Sequence, residues 1–177
     1  MRYFIISAPS GCGKTTIIKN LLADHPNIRL SVSMTTRSKR ASEVHGKDYY
    51  FGNDEMFQLL LEQDAFLEHT FVFGHYYGSP KSELKRLAGF QILFDVDVKG
   101  MRAIKSFLPD AQSIFIAPPS IQVLEQRLIG RGEDHPEIIA KRLVHAKDYL
   151  DFQSEYDYVI LNDQLDVAID MMSRIVS

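Results

Sequence analysis

The chain has 177 residues, 45% of them hydrophobic and 24% charged, with a formal net charge of -3 and a single cysteine, Cys12. That length and apolar content suit one domain with one packed core, and the slightly acidic balance supplies no whole-molecule positive field to hold a nucleic acid or an anionic membrane. A lone cysteine excludes an intramolecular disulfide, no apolar run approaches the roughly 20 residues needed to cross a bilayer, and the start MRYFIIS lacks the features of a signal peptide, so a cytoplasmic location is expected.

In chain order, Tyr3 to Ser7 is a short apolar run that ends at Ala8-Pro9-Ser10-Gly11, and Thr15 to Ala23 then carries Ile17, Ile18, Leu21 and Leu22 at helical spacing. The prediction is strand, tight loop, helix. From Ser31 to about Phe90 the rhythm changes: polar, β-prone segments (Ser31 to Thr36, Asp48 to Phe51, Leu67 to Tyr77) surround one helical piece near Asp54 to Gln63, which suits a small inserted α+β lobe. Ile92 to Val98, Ser113 to Ala117 and Tyr158 to Leu161 then read as central parallel strands, because they are short apolar runs fit for burial on both faces. Helices are predicted over Ser120 to Ile129, over Ile138 to Leu150 with Ile139, Leu143, Ala146 and Leu150 on one face, and from about Asp166 to the end with Ile169, Met172 and Val176 inward. Strands alternating with helices imply a doubly wound α/β sheet whose ligands sit at the carboxyl ends of its strands.

The loop after the first strand carries the strongest chemical signal. Ala8-Pro9-Ser10-Gly11-Cys12-Gly13-Lys14-Thr15 matches G-x-x-x-x-G-K-[ST] at every position but the first, where Ala8 replaces glycine. Glycines let successive backbone N–H groups turn toward phosphate oxygens, the following helix offers its positive end, Lys14 neutralises charge, and the Thr15 hydroxyl suits Mg²⁺. Ala8 precedes proline, which favours extended backbone that alanine adopts without strain. A glycine turn between strand and helix needs no ligand by itself, but this one has both the strand and the helix the motif requires. A nucleoside triphosphate is therefore expected here, with the acceptor to be read elsewhere.

Ser33-Met34-Thr35-Thr36-Arg37-Ser38-Lys39-Arg40, followed by Glu43 and Tyr49, concentrates cations in an acidic chain. Such a run is by itself more often a solvated face, yet guanidinium pairs also grip phosphate, and Arg37 and Arg40 would suit a monophosphate acceptor. The six histidines show no metal-ligand spacing, and Cys12, although beside a helix N-terminus, reads as a filler of the loop.

At this stretch the chain resembles the guanylate kinases. APSGCGKTT, SVSMTTRSKR, EVHGKDYYF, FLEH, GHYYGS, ILFDVDVKG, FIAPPS, RLIGRG, KRL and VILND follow that family's order over nearly the whole length. The resemblance implies a P-loop NTPase-type parallel sheet core flanked by helices (about 1–30, 91–125 and 146–177), a GMP-binding lobe (about 31–90) and a short, mobile helical lid (about 126–145, around Arg127 to Pro136). It implies ATP held by Ala8 through Thr16 (Ala8, Pro9, Ser10, Gly11, Cys12, Gly13, Lys14, Thr15, Thr16) with Asn162 near adenine. Arg37, Arg40, Tyr49 and Tyr77 would hold the GMP phosphate, with Glu43 beside them, and Ser33, Glu68, Ser79 and Asp97 would contact guanine. Ionised Glu68 and Asp97 can only accept, which matches the N1–H and 2-amino donors that guanine has and adenine lacks.

The implied reaction is in-line transfer of the γ-phosphoryl group from ATP to GMP with Mg²⁺, Lys14, Arg37, Arg131 and Arg142 being the catalytic cations. Thr15, and Asp95 through water, would serve the metal, and a period-two reading of Ile92 to Val98 puts Asp95 and Asp97 on the same side of one strand end. Use of dGMP and self-association stay open. Two other readings also stand: a catalytically inactive guanylate-kinase-like module that binds peptides, and a kinase for a different small phosphorylated acceptor.

Overall fold

Nine strands and seven helices organise the described residues, which in this computed structural model are 2–72, 74–132 and 135–177, with Arg131 described by its backbone alone. In order they are β1 (Tyr3–Ser7), α1 (Lys14–Asp24), β2 (Ile28–Leu30), β3 (Met34–Thr35), β4 (Tyr50–Phe51), α2 (Asp54–Glu62), β5 (Phe66–Val72), β6 (His75–Pro80), α3 (Ser82–Arg86), β7 (Gln91–Asp95), α4 (Val98–Phe107), β8 (Gln112–Ala117), α5 (Ile121–Arg131), α6 (Pro136–Asp151), β9 (Tyr158–Leu161) and α7 (Leu165–Val176). One sheet has the order β2-β7-β1-β8-β9, and its pairs β2–β7, β1–β8 and β8–β9 run parallel; the other has the order β4-β3-β6-β5. By contact the chain divides into two compact units, Met1–Tyr3 with Asn27–Ala111, and Phe4–Pro26 with Gln112–Ser177.

The second of these units follows the expected alternation. Phe4, Ile5 and Ile6 of β1 and Ile114, Phe115 and Ile116 of β8 are fully buried, which is what continuous apolar runs require when helices cover both faces of a parallel sheet. Each such side chain contributes about 1.5–3 kcal/mol relative to remaining in water. Helix α1 buries Ile17, Ile18 and Leu21, and α7 buries Ala168, Met172 and Val176 at i, i+4 and i+8. Ser120 caps α5 by accepting from the Val123 N–H at 3.2 Å.

In the first unit, Ile92, Leu93 and Phe94 of β7 are buried, as are Met101 and Ile104 of α4. The four-stranded sheet has its own cluster, Met34, Phe57 and Phe66, with the Phe57 ring stacked 4.5 Å from Phe66 and 5.1 Å from Tyr76. Asn53 starts α2 by accepting from the Met56 N–H.

Two expectations need correction here. The strand predicted over Ile92 to Val98 stops at Asp95, and Val98 opens α4, so Asp97 is no longer a strand residue two positions from Asp95. Asp97 is instead the N-cap of α4, its Oδ1 accepting from the Gly100 N–H at 2.7 Å. A cap needs an extended backbone at that residue and helix immediately after it, and this overrides the period-two reading. Helix α4 itself escapes a pattern search because Gly100 sits in its first turn, where glycine lowers helix propensity. A Cβ at Gly100 would lie 2.8 Å from the Val96 Cβ and 3.0 Å from the Glu68 Oε2, so close packing against the site demands the glycine.

Candidate functional site

The second unit carries the phosphate loop. Gly11 and Gly13 have φ of 93° and 83°, the left-handed conformation that lets the chain turn so its N–H groups converge. Neither could carry a side chain, because a Cβ at Gly11 would meet Leu124 at 2.9 Å and one at Gly13 would meet the Asn162 Nδ2 at 2.5 Å. Gly13 is the N-cap of α1, and with no side-chain cap and no acidic residue in the first turn that helix end suits an anion. Lys14 and Thr15 open the helix, Thr15 and Thr16 are exposed, and Pro9 and Cys12 are buried under the loop. Arg142 of α6 donates to the Ser10 hydroxyl at 2.9 Å, which brings one expected arginine to the loop. The side chain of Arg131, and residues 133 and 134 of the expected lid, lie outside the described residues.

Asn162 does more than its expected place near a base requires. It is 3% exposed, its Nδ2 donates to the Cys12 carbonyl at 2.7 Å, and it thereby ties the end of β9 to the loop. Its Oδ1 is buried with no hydrogen-bond partner, and so is the Nη1 of Arg127, whose Nη2 donates to the Asn162 carbonyl at 3.1 Å. Both residues line a cavity of about 350 Å³ together with Gly11, Gly13 and Thr16. Those two atoms are closed off from solvent, so each would have to shift to reach a ligand in that cavity. Sequence reasoning placed Arg127 only at the edge of a lid; a cation directly beside the buried Leu128 in α5 was the available signal.

The first unit carries a second constellation. A bulge shifts the β5–β6 register between Phe66 and Glu68, so that Phe66 pairs with Pro80 and Glu68 with Ser79. The shift turns Phe66 toward the apolar cluster and Glu68 to the opposite face, although two residues apart they would otherwise share one. Glu68 is 6% exposed and accepts from the Ser79 hydroxyl at 2.7 Å. Burial raises its pKa to about 7, and the nearby negative charge of Asp97 adds to the rise, while the Ser79 hydrogen bond opposes it. A carboxyl raised this far binds a proton more readily than an exposed glutamate does.

On that same face of β6, Tyr77 lies edge-on to Tyr49, ring centroids 6.1 Å apart. Arg37 stands over the Tyr49 and Phe51 rings at 5.6 and 5.8 Å, close enough for cation–π attraction. It donates from Nη1 and Nη2 to the Glu43 carboxylate at 3.1 and 2.7 Å, and Glu43 also accepts from the Arg40 N–H at 2.8 Å. The hydrogen bond from Arg37 holds the Glu43 carboxyl below its usual range, and the same bond raises Arg37. Glu43 therefore fixes the guanidinium fork and the backbone of the second arginine. Burial pushes the Tyr49 phenol up to about 12, with the Asp95 charge adding to it, so Tyr49 stays a proton donor at any working pH. Ser33 precedes β3 and its carbonyl accepts from the Tyr50 N–H at 2.9 Å, beside this group. Arg37, the phenols of Tyr49 and Tyr77, and Glu43, which also holds the Arg40 backbone, thus form one cluster in this unit.

The guanylate kinase family model matches residues 1–177. Guanylate kinases of Escherichia coli K12 and Salmonella typhimurium LT2 are 43% and 42% identical over 177 residues, covering 98% of this chain and 86% of theirs. The crystal structure of guanylate kinase from Anaplasma phagocytophilum matches with a TM-score of 0.81 at 34% identity, over 99% of this chain and 84% of that one. A shikimate kinase from Bacteroides thetaiotaomicron, at 14% identity and a TM-score of 0.56, shares the fold alone. With a phosphate loop after its first strand, a family model that matches residues 1–177, and relatives 43% identical over 98% of its length, the chain belongs to the guanylate kinase family.

Proposed function

We propose that this chain transfers the γ-phosphoryl group of ATP to GMP, giving ADP and GDP. The observation that carries this reading is the buried pair Glu68 and Ser79 with the part-buried Asp97, in the same unit as the arginine and tyrosine cluster, since together they offer acceptors to a base and a cation to a phosphate. Guanine presents N1–H and a 2-amino group, and an ionised Glu68 with Asp97 accepts from both; adenine leaves those acceptors buried and unpaired. Arg37 and Arg40 grip the acceptor phosphate, with Tyr49 and Tyr77 donating to it. Ser33 supports the base.

On the donor side, Lys14 and the loop of residues 8–16, through the backbone N–H groups that all but Pro9 carry, hold the triphosphate, and Asn162 and Arg127, which line the adjoining cavity, lie beside adenine. An oxygen of the GMP phosphate attacks the γ-phosphorus in line, and the bond to the β,γ-bridging oxygen breaks as ADP leaves. Arg142 and Arg131 neutralise the charge spread over the transferring group. Arg131 rests on the resemblance, as do the lid around residues 126–145 and the acceptor lobe of about 31–90.

No group of three or more His, Cys, Asp or Glu able to cage a metal occurs among the described residues, and this fits Mg²⁺, which keeps its waters and binds through nucleotide phosphates. The Thr15 hydroxyl and, through water, Asp95 would hold it, and the ion would supply further neutralisation of phosphate oxygens. No helix among the described residues is long and apolar enough to cross a membrane. A cytoplasmic enzyme of purine nucleotide metabolism fits these features.

An acceptor screen with ATP and Mg²⁺ tests the reading. GMP should exceed AMP and UMP by about 10⁴ in kcat/KM. Equal rates with AMP would sink the guanine pocket, and no transfer to any monophosphate would favour a binding module.

A further inference from the structure

Beneath the acceptor pocket lies a carboxylate that neither the phosphate loop nor the guanine site uses. Glu83 of α3 is 1% exposed, yet it is fully satisfied. Its Oε2 accepts from the Val32 N–H at 2.7 Å and from Arg86 Nη2 at 2.6 Å; its Oε1 accepts from the Tyr50 hydroxyl at 3.0 Å and from Arg86 Nε at 2.6 Å. Burial alone would raise its pKa, but Arg86, Val32 and Tyr50 together outweigh that and hold the carboxyl below its ordinary value. Only the Glu83 side of this pair is buried, Arg86 being 46% exposed, and a pair so placed adds little net stability, so stability is a poor account of why the charge is there.

Its partners suggest a better one. Val32 directly precedes Ser33, and Tyr50 directly follows Tyr49. The Tyr50 N–H also donates to the Ser33 carbonyl at 2.9 Å and the Gly52 N–H to the Thr35 carbonyl at 3.0 Å, so the two segments are already joined as the short paired strands β3 and β4. Glu83 adds a side-chain bridge to these backbone bonds, accepting from the Val32 N–H on one segment and from the Tyr50 hydroxyl on the other. The ladder is only two residue pairs long, and the side-chain bridge adds a tie at its Val32 end, where the chain leads into Ser33. Arg86 fixes the carboxylate by a bidentate pair, the geometry a guanidinium holds best.

We propose that Glu83 is a positioning residue for the acceptor pocket: it clamps the chain before Ser33 to the chain after Tyr49, and so sets the distance between a base contact and a phosphate contact. This rests on the functional reading above. A pocket held loosely loses affinity because the ligand must then order it.

The test is calorimetric titration of GMP and, separately, of a non-hydrolysable ATP analogue into wild type, Glu83→Gln and Tyr50→Phe, with a thermal melt of each. Glu83→Gln keeps the volume but loses the charge that holds Arg86, and Tyr50→Phe removes one hydroxyl. GMP affinity should fall about tenfold in the first variant and about threefold in the second, with analogue affinity unchanged in both. Should Glu83→Gln fail to fold, Tyr50→Phe decides. GMP affinity within error of wild type in the folded variants, or a matching loss for the analogue, overturns the proposal. A wild type that takes up no GMP overturns the functional reading, and the proposal with it.

Discussion

The phosphate loop and the acceptor pocket are built in opposite ways. The loop is a single run of nine residues, Ala8 to Thr16, whose shape follows from two glycines and a helix start, with Asn162 as its main distant brace. The pocket draws on residues from Ser33 to Asp97 and depends on a β-bulge, a helix cap, a glycine that lets Glu68 approach, and carboxylates that hold arginines. A local device tolerates distant change but not change of its own residues. A distributed one is exposed to any alteration in the sheet that carries it.

Substitutions should separate the two. The largest effect is expected from Lys14→Ala, which removes the cation of the loop: kcat/KM for ATP should drop about 10³-fold while calorimetric GMP affinity holds. Loss of GMP binding in that variant would show that the sites are not separately built.

Glu68→Gln strikes the other region. Replacing one acceptor oxygen by a donor amide opposite the guanine donors should lower kcat/KM for GMP about 10²-fold and leave analogue binding intact.

A smaller, pH-linked effect follows from the Glu68 pKa of about 7. Guanine donors need the ionised carboxylate, so GMP affinity should be greatest above that value and about tenfold lower at pH 6 than at pH 8. Stability moves the other way. A carboxyl whose folded pKa is raised by burial favours the fold when protonated, and that contribution is lost as pH rises through about 7. Glu68→Gln serves as the control, since titration of the GMP phosphate itself persists in it while the Glu68 component disappears.

The smallest effect is expected from Asn162→Ala. It deletes the bond to the Cys12 carbonyl and one wall of the donor cavity, and should weaken the ATP analogue about tenfold or less with no change in GMP affinity.

The same contrast explains what could be read from the residues alone. The loop was visible because its signal is contiguous, and β1, α1, β8 and α7 fall close to their predicted spans because buried apolar runs and helical spacing are local properties, whereas β9 keeps its predicted span but is an edge strand with Tyr158, Val159 and Leu161 exposed, not the central buried strand its apolar run suggested. Glu68, Ser79 and Asp97 were reached through the family resemblance, and their roles in GMP binding remain part of the proposal. Periodicity could not have found their arrangement: it would place Glu68 with Phe66, and it places Asp97 on a strand that ends at Asp95. Helix α3 and strand β2 are five and three residues long, too short for a periodic signal. Glu83 was invisible for a further reason, since a glutamate on a short polar helix reads as solvated until its partners Val32 and Tyr50 are brought to it.

The most direct test of the account is calorimetric titration of GMP and of AMP into the wild-type protein at pH 8, where Glu68 is mostly ionised. Saturable uptake of GMP, with AMP weaker by about 10³ or more, is the predicted result. Comparable affinity for the two purines would mean that the buried carboxylates do not read the base, and would contradict the account at its centre.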